Sequence, residues 1–271
     1  MAAEAFEPAF AKVNLTLHVT GRRADGYHLL DSLVVFANIA DVISLGGSAP
    51  LTLGGPFAES LAEKDNLVLR AAGLMGFERP LTLEKNLPVA SGLGGGSADA
   101  AATLRLLARV LGRPAPMERA IELGADVPVC LTPVPQRMSG TGEILVSVEV
   151  PDFWLVLVNP AVEVKTARIF ATLKVRDGAP MSALHWDGFD GFFGFLRAQR
   201  NDLQETAIGI APVIGQVLSV LEHQSGCAVA GMSGSGATCF GVFEHQIAAE
   251  RASAAIADAF PGWWVQAANR V

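Results

Sequence analysis

The sequence predicts an α+β protein of two domains, residues 1–150 and 151–271, the second a two-layer α/β plait of ferredoxin-like type. Three observations carry that prediction. In the first half a run of glycines, Gly92 and Gly94 to Gly96, leads straight into an alanine- and leucine-rich helical segment at 97–111. In the second half apolar runs that read as strands alternate with helical segments. Between the halves, residues 133–142 are rich in Pro, Gly and polar side chains, a composition that suits a boundary.

Taken in order, residues 9–19 alternate Val13, Leu15, Leu17 and Val19 with Lys12, Asn14, Thr16 and His18, which fits a half-buried strand. A loop at 21–26 precedes strands at 30–37, 41–45 and 51–54. Asp65 suits the N-cap of a helix ending near Gly76, and residues 81–84 form a strand leading into the glycine loop. The main helix has Ser97 as its N-cap, Gly112 at its end and Pro114 beyond. A shorter helix at 117–123 stops at Gly124. The continuous apolar run at 154–158 predicts a strand buried on both faces. Helices are expected at 166–173, 211–223 and 247–260, strands at 227–231, 238–243 and 263–267, and a loop with several aromatics at 178–194.

Composition narrows the function. With 271 residues, 51% of them hydrophobic, the chain has ample material for two cores. Its net charge of −7 argues against a nucleic-acid surface, which needs clustered basic charge. Glu4 and Glu7 stand where a signal peptide would be basic, and Pro and Gly interrupt the uncharged stretches, so neither a leader nor a membrane span is expected. Cys130, Cys227 and Cys239 lack metal-ligand spacing and read as small hydrophobes in a reducing compartment. A cytoplasmic enzyme acting on a small molecule, as monomer or homodimer, is the expectation.

The loop Pro88-Val89-Ala90-Ser91-Gly92-Leu93-Gly94-Gly95-Gly96-Ser97-Ala98 is the strongest chemical signal. Glycines let a backbone press its N–H groups against a ligand, and the first turn of a helix adds unpaired donors and partial positive charge. Phosphate is the usual occupant of such a place. A P-loop is excluded because no lysine precedes Ser97, and a dinucleotide fingerprint because Ser97 stands where its third glycine belongs. Four further clusters stand out. Lys12 and Asn14 share one strand face, and Tyr27, the only tyrosine, is followed by His28 just after Gly26. Asp126 follows a helix end in Gly124-Ala125-Asp126-Val127-Pro128, and Ser233, Gly234, Ser235 and Gly236 lie in a second small-residue loop. On local pattern alone these also fit a solvated strand face, a packing ring, an Asx turn and a hairpin turn.

Their order and spacing along the chain carry a resemblance that favours the functional readings. The glycine loop resembles the second motif of the GHMP kinases. Ala11-Lys12-Val13-Asn14-Leu15, Arg23 to His28, the Asp126 segment, Asn201-Asp202-Leu203 and Met232 to Ala237 together resemble the diphosphocytidyl-methylerythritol kinases of that superfamily, across residues 10–243. The resemblance implies a two-domain GHMP kinase fold, whose N-terminal βα domain has a left-handed-type crossover. It also implies ATP-dependent phosphorylation of the 2-hydroxyl of a cytidine diphosphate-linked polyol. By the same resemblance, Asp126 accepts the hydroxyl proton and Lys12 lies near it and the transferred phosphate. Residues 88–98 take the ATP phosphates, and Mg²⁺ offsets their charge with Ser97 as a candidate ligand. Asn14, Tyr27, His28, Thr166 and Phe170 contact the substrate, the tyrosine ring and the histidine holding the cytosine end and Phe170 supplying the opposite ring; residues 233–236 approach the site. Two departures stand out: Val129-Cys130-Leu131-Thr132-Pro133 replaces the family's aromatic pair and glycine, and Lys165 is unusual. A GHMP kinase for another small alcohol, such as homoserine or a mevalonate derivative, is the alternative, and Tyr27, His28 and Phe170 distinguish the two. Lys12 and Asp126 argue against a silent nucleotide-binding relative.

Overall fold

A computed structural model of the chain describes residues 5–61, 66–173 and 177–271. Its strands are β1 (Phe6–Asn14), β2 (His18–Arg22), β3 (His28–Leu45), β4 (Leu51–Gly54), β5 (Leu81–Glu84), β6 (Gln136–Gly140), β7 (Ile144–Ser147), β8 (Trp154–Asn159), β9 (Cys227–Met232), β10 (Cys239–Phe243) and β11 (Trp264–Asn269). Its helices are α1 (Leu67–Leu74), α2 (Gly95–Leu111), α3 (Val127–Cys130), α4 (Thr166–Thr172), α5 (Gly188–Arg197), α6 (Gln204–Ile210), α7 (Val213–Glu222) and α8 (Gln246–Ala259). One sheet runs β4-β5-β3-β6-β7, with β1 and β2 also pairing with β3, and a second runs β11-β8-β10-β9. A cut at residue 150 separates the two sheets. Backbone packing draws its own division: one compact unit is Met1–Lys12, Ile39–Val89 and Gly94–Pro133, the other Val13–Asn38, Ala90–Leu93 and Val134–Val271.

In the first unit β4 and β5 are parallel, Leu51 opposite Leu81, and α1 lies in the connection between them. Helices α1 and α2 pack together, and the buried face of α2 is dense in alanine, Ala98 and Ala100 to Ala102, before Leu104, Leu106 and Leu107. Such short side chains let helix axes approach closely. The Asn66 side chain caps α1 by accepting from Val68 N–H at 2.9 Å. The expected cap, Asp65, lies outside the described residues.

In the second unit the four-stranded sheet carries α7 and α8 over one core, built from Val156 and Val158 of β8, Ile214, Val217 and Leu221 of α7, and Ala249, Ala252 and Ile256 of α8. This is the expected plait, and Leu155 to Asn159 are all buried as the apolar run requires.

Several elements differ from the sequence-based expectation. Residues 9–19 are not one half-buried strand: β1 ends at Asn14, pairing resumes at His18, and Lys12, Asn14, Thr16 and His18 are as buried as their apolar neighbours. Each of these side chains makes an internal hydrogen bond, although Asn14 Oδ1 and His18 Nε2 have no partner among the described residues, so alternation of polarity there does not report alternation of burial. The expected strands at 30–37 and 41–45 are one strand, because Asn38-Ile39-Ala40 contains no breaker. Residues 133–142 include β6, paired with both β3 and β7; Pro133 and Pro135 precede the strand, Gly140 is its last residue and Gly142 follows it. The segment at 178–194 runs into α5, whose aromatics recur at helical spacing. The helix expected at 211–223 is α7, and a further short helix, α6, precedes it, separated from it at Pro212. Residues 117–122 form a 3-10 turn rather than an α-helix.

Candidate active site

Within the first unit, β1 delivers Lys12 to Asp126. The Lys12 Nζ donates to Asp126 Oδ2 at 2.6 Å. The two ends differ in exposure: the lysine side chain is 4% exposed and the aspartate 36%. Asp126 stands at the N-cap of α3 with Pro128 in the first turn, yet its side chain makes no capping bond. The Asx-turn alternative is therefore not realised, and the carboxylate is committed to the lysine with one side open to solvent.

The glycine loop shapes the neighbouring backbone. Gly94 has φ +62° and is the N-cap of α2, so the helix begins at Gly95. This corrects the expectation that Ser97 is the cap: a glycine in the left-handed region turns the chain early, and no capping side chain is used. A Cβ on Gly94 would stand 3.2 Å from both Cβ and Cε of Lys12, so the missing side chain is what lets the lysine pass. The first bond into the helix is Ala98 N–H to the Gly94 carbonyl, which leaves the Gly95, Gly96 and Ser97 amides ahead of it. Ser97 is half-buried, with its Oγ on the side of Gly124. Burial pushes the Cys130 thiol up to about 12 against the pull of Lys12, so where the family pattern is departed from the chain presents a neutral thiol.

The second unit holds the crown of the loop. Gly92 has φ +80°, and a Cβ there would collide with the Ser233 carbonyl. The Ser233 hydroxyl, wholly buried, donates to the Gly92 carbonyl at 2.9 Å and accepts from Asn14 N–H at 3.1 Å. The Thr238 amide donates to the Ser91 carbonyl at 3.0 Å. The small-residue loop is thus a clamp on residues 91–92 rather than a plain hairpin turn. Asn201 ties its other side by donating to the Met232 and Gly234 carbonyls, and Ser235 Oγ meets Thr166 Oγ1 at 2.7 Å. Asn14 Nδ2 donates to Ser32 Oγ at 2.8 Å, whereas its buried Oδ1 has no hydrogen-bond partner among the described residues.

Two of the three ring residues meet each other. Phe170 stacks on His28, centroids 4.7 Å apart and planes 24° from parallel. One face of Phe170 is thus covered by the histidine, while Tyr27 stands 63% exposed.

Of the remaining loop positions, Pro88 and Leu93 are buried, Val89 is half-buried, and Ala90 is exposed with φ +51°. Lys165 is exposed. Among the described residues no group of three or more His, Cys, Asp and Glu side chains is placed to hold a metal ion, and no helix is long and apolar enough to cross a membrane. One cluster had not been singled out from sequence. Lys85, Asp41 and Asp99 are all buried and bonded to one another. The available signal was Asp99, a lone acid in an alanine-rich helix.

Residues 59–134 match the GHMP kinases N terminal domain and residues 194–262 the GHMP kinases C terminal domain. Two proteins named 4-diphosphocytidyl-2-C-methyl-D-erythritol kinase align along the whole length. That of Ruegeria pomeroyi is 54% identical over 97% of this chain and 98% of its own. That of Cereibacter sphaeroides is 52% identical over 98% of each. A crystal structure of 4-(cytidine 5'-diphospho)-2C-methyl-D-erythritol kinase superposes with a TM-score of 0.78 at 30% identity, covering 98% of both chains. Homoserine kinase from Cytophaga hutchinsonii, at a TM-score of 0.64 and 15% identity over 100% of this chain and 95% of its own, shares the fold. By motif, architecture and full-length similarity, the chain belongs to the 4-diphosphocytidyl-2-C-methyl-D-erythritol kinase family of the GHMP kinases.

Proposed function

We propose that the chain transfers the terminal phosphoryl group of ATP to the 2-hydroxyl of 4-diphosphocytidyl-2-C-methyl-D-erythritol, the compound for which its relatives are named, giving the 2-phosphate and ADP in non-mevalonate isoprenoid precursor biosynthesis. The observation that carries it is the Lys12–Asp126 pair at 2.6 Å, sealed at the lysine and open at the carboxylate. An acceptor hydroxyl must lose its proton as the oxygen attacks phosphorus. Asp126 takes that proton on its carboxylate, and Lys12 fixes the carboxylate's orientation while adding positive charge where the transferring group accumulates negative charge.

The amides of Gly95, Gly96 and Ser97 and the dipole of the 17-residue α2 support residues 88–98 as the seat of the ATP phosphates. Ser233 supports that seat by clamping the Gly92 carbonyl. A divalent cation fits the donors present. Mg²⁺ keeps waters and takes few protein ligands beside phosphate oxygens. Ser97 Oγ is a hard oxygen at the helix start, so it remains the candidate protein ligand, and the ion would offset phosphate charge. On the acceptor side, the unpartnered Asn14 Oδ1 supports a hydrogen bond to a polyol hydroxyl. The exposed Tyr27 ring, with His28, Phe170 and Thr166, supports the cytosine end, stacking and hydrogen bonding being what a pyrimidine offers. Residues 1–150 are proposed as the half that carries ATP and the catalytic pair, and 151–271 as the half that completes the substrate side. Three free cysteines suit the cytoplasm proposed for the enzyme, as monomer or homodimer.

The solved homoserine and mevalonate kinases are 10–15% identical and speak to the fold only, so the alternative alcohol is not adopted. Coupled ADP release with Mg-ATP and the cytidyl polyol, homoserine or mevalonate tests the reading. Turnover with the cytidyl polyol alone is expected; turnover with another alcohol in its place overturns it.

A further inference from the structure

The glycine loop is tied at both ends by one buried cluster in the first unit. Lys85 follows β5, three residues before Pro88. Its Nζ donates to Asp41 Oδ2 of β3 at 2.5 Å and to Asp99 Oδ2 of α2 at 2.7 Å. All three side chains are sealed, at 2%, 0% and 3% exposure for Lys85, Asp41 and Asp99. Asp41 Oδ1 accepts from the backbone amides of Asn86 and Leu87 at 2.6 and 2.8 Å. The loop's entry is therefore held by Asp41. Its exit, the first turns of α2, is held by Asp99. Lys85 joins the two. The brace also lies directly beneath the helix start, since a Cβ on Gly95 would stand 3.0 Å from Lys85 Nζ.

A buried lysine and two buried aspartates are a costly way to hold a loop for stability alone, because desolvation offsets much of their attraction and apolar side chains of similar size often do as well. What an ion cluster adds is a fixed geometry. We infer that Lys85, Asp41 and Asp99 are positioning residues for the nucleotide, setting the angle between the entry strand and α2 so that the Gly95, Gly96 and Ser97 amides converge on the phosphates. This rests on reading residues 88–98 as the nucleotide seat. None of the three touches substrate; each acts through backbone amides that do.

The test separates nucleotide from polyol. Calorimetric binding of MgADP is measured on the wild-type enzyme, on Asp99→Ala and on Asp99→Asn, followed by KM for each substrate. Asp99→Ala cuts the tie to α2 and leaves the Lys85–Asp41 pair intact. It is expected to weaken MgADP and raise the ATP KM by about tenfold or more, as small misplacements of a binding group do, with the polyol KM within about twofold. Asp99→Asn keeps an acceptor for Lys85 and should return MgADP affinity to near wild type. Asp99→Ser, which cannot reach Lys85 but leaves a polar group in place, carries the same expectation should the alanine variant not fold. Wild-type MgADP affinity in folded Asp99→Ala or Asp99→Ser overturns the brace. So does loss of nucleotide and polyol affinity together with melting temperature, the mark of a merely structural role. A wild-type enzyme that binds MgADP but turns over none of the alcohols leaves the brace standing and overturns the substrate; one that does not bind MgADP overturns both.

Discussion

Two lysines of the first unit hold aspartates at nearly the same distance and do different work. Lys12 meets Asp126 at 2.6 Å; Lys85 meets Asp41 and Asp99 at 2.5 and 2.7 Å. Both lysines are sealed. The difference lies in their partners: Asp126 is more than a third exposed, whereas Asp41 and Asp99 have almost no contact with solvent. An aspartate that opens to solvent can meet a substrate and exchange a proton with it. One that does not can only fix geometry. The same pair of residue types therefore reads as chemistry in one place and as architecture in the other, and exposure of the acid, not distance, separates them.

The largest expected effect breaks the first pair. Asp126→Asn keeps shape and neutralises the base, and should lower turnover by about 10²–10⁴-fold, or about 3–5 kcal/mol of barrier. Its melting temperature should stay within a few degrees of wild type, because the group removed is partly solvated already. Near-normal turnover would remove Asp126 from the proposed role. Next in size is Asp41→Ala, which strips a buried lysine of one partner and frees two backbone amides. Urea unfolding should show a loss of about 3–5 kcal/mol, the usual cost of breaking a buried ionic network. A loss below about 1 kcal/mol would mean the brace is solvated in solution and would erase the contrast between the two lysines. Smaller again is Phe170→Ala, which removes the ring stacked on His28. A stacked pair contributes about 0.5–1.5 kcal/mol, so the polyol KM should rise about two- to tenfold. The ATP KM should not change. If it moves as well, the ring cluster is not specific to the acceptor, and the separation of readouts among Asp126, Asp99 and Phe170 fails.

How much of this was legible in sequence follows the same line. The glycine loop stood out because its glycines exceed what a turn uses, whereas Lys12 and Asp126 fitted a solvated strand face and an Asx turn equally well on local pattern. Their partnership, across 114 residues, was supplied by resemblance and not by local pattern. Lys85 was passed over, since a lysine just past a short strand reads as a surface residue, and nothing local says that two aspartates 44 and 14 residues away close over it. Local rules also failed where backbone geometry replaced side-chain chemistry. Ser97 has the right side chain for an N-cap, but Gly94 in the left-handed region starts the helix first. Strand boundaries erred for a related reason. Composition marks where a chain may break, and Asn38-Ile39-Ala40 does not break β3, which pairs with β6 at Leu30 to Val34 and with β5 at Val42 to Leu45.

The finest test of the contrast is the charge on Asp99. Burial, chiefly, pushes its carboxyl up to about 7, with Asp41 adding to the rise and Lys85 opposing it. Its Oδ1 has no hydrogen-bond partner among the described residues and is the atom on which a proton would sit, while Oδ2 goes on accepting from Lys85. The unfolded chain releases that proton near pH 4, the ordinary aspartate value, while the folded protein holds it to about 7. In that window the folded state binds more protons than the unfolded state, so this group's contribution to stability falls as pH rises and levels off above it. Asp99→Asn cannot ionise and lacks the fall. Urea midpoints of the two proteins at pH 5, 6, 7 and 8 should therefore diverge with rising pH in favour of the variant, while acid effects common to both cancel. If the wild type instead gains on the variant as pH rises, Lys85 outweighs burial and Asp99 is ionised throughout. The brace would then be a true ion triad with net negative charge beneath the phosphate seat, and its value to nucleotide binding would have to come from geometry against an opposing field.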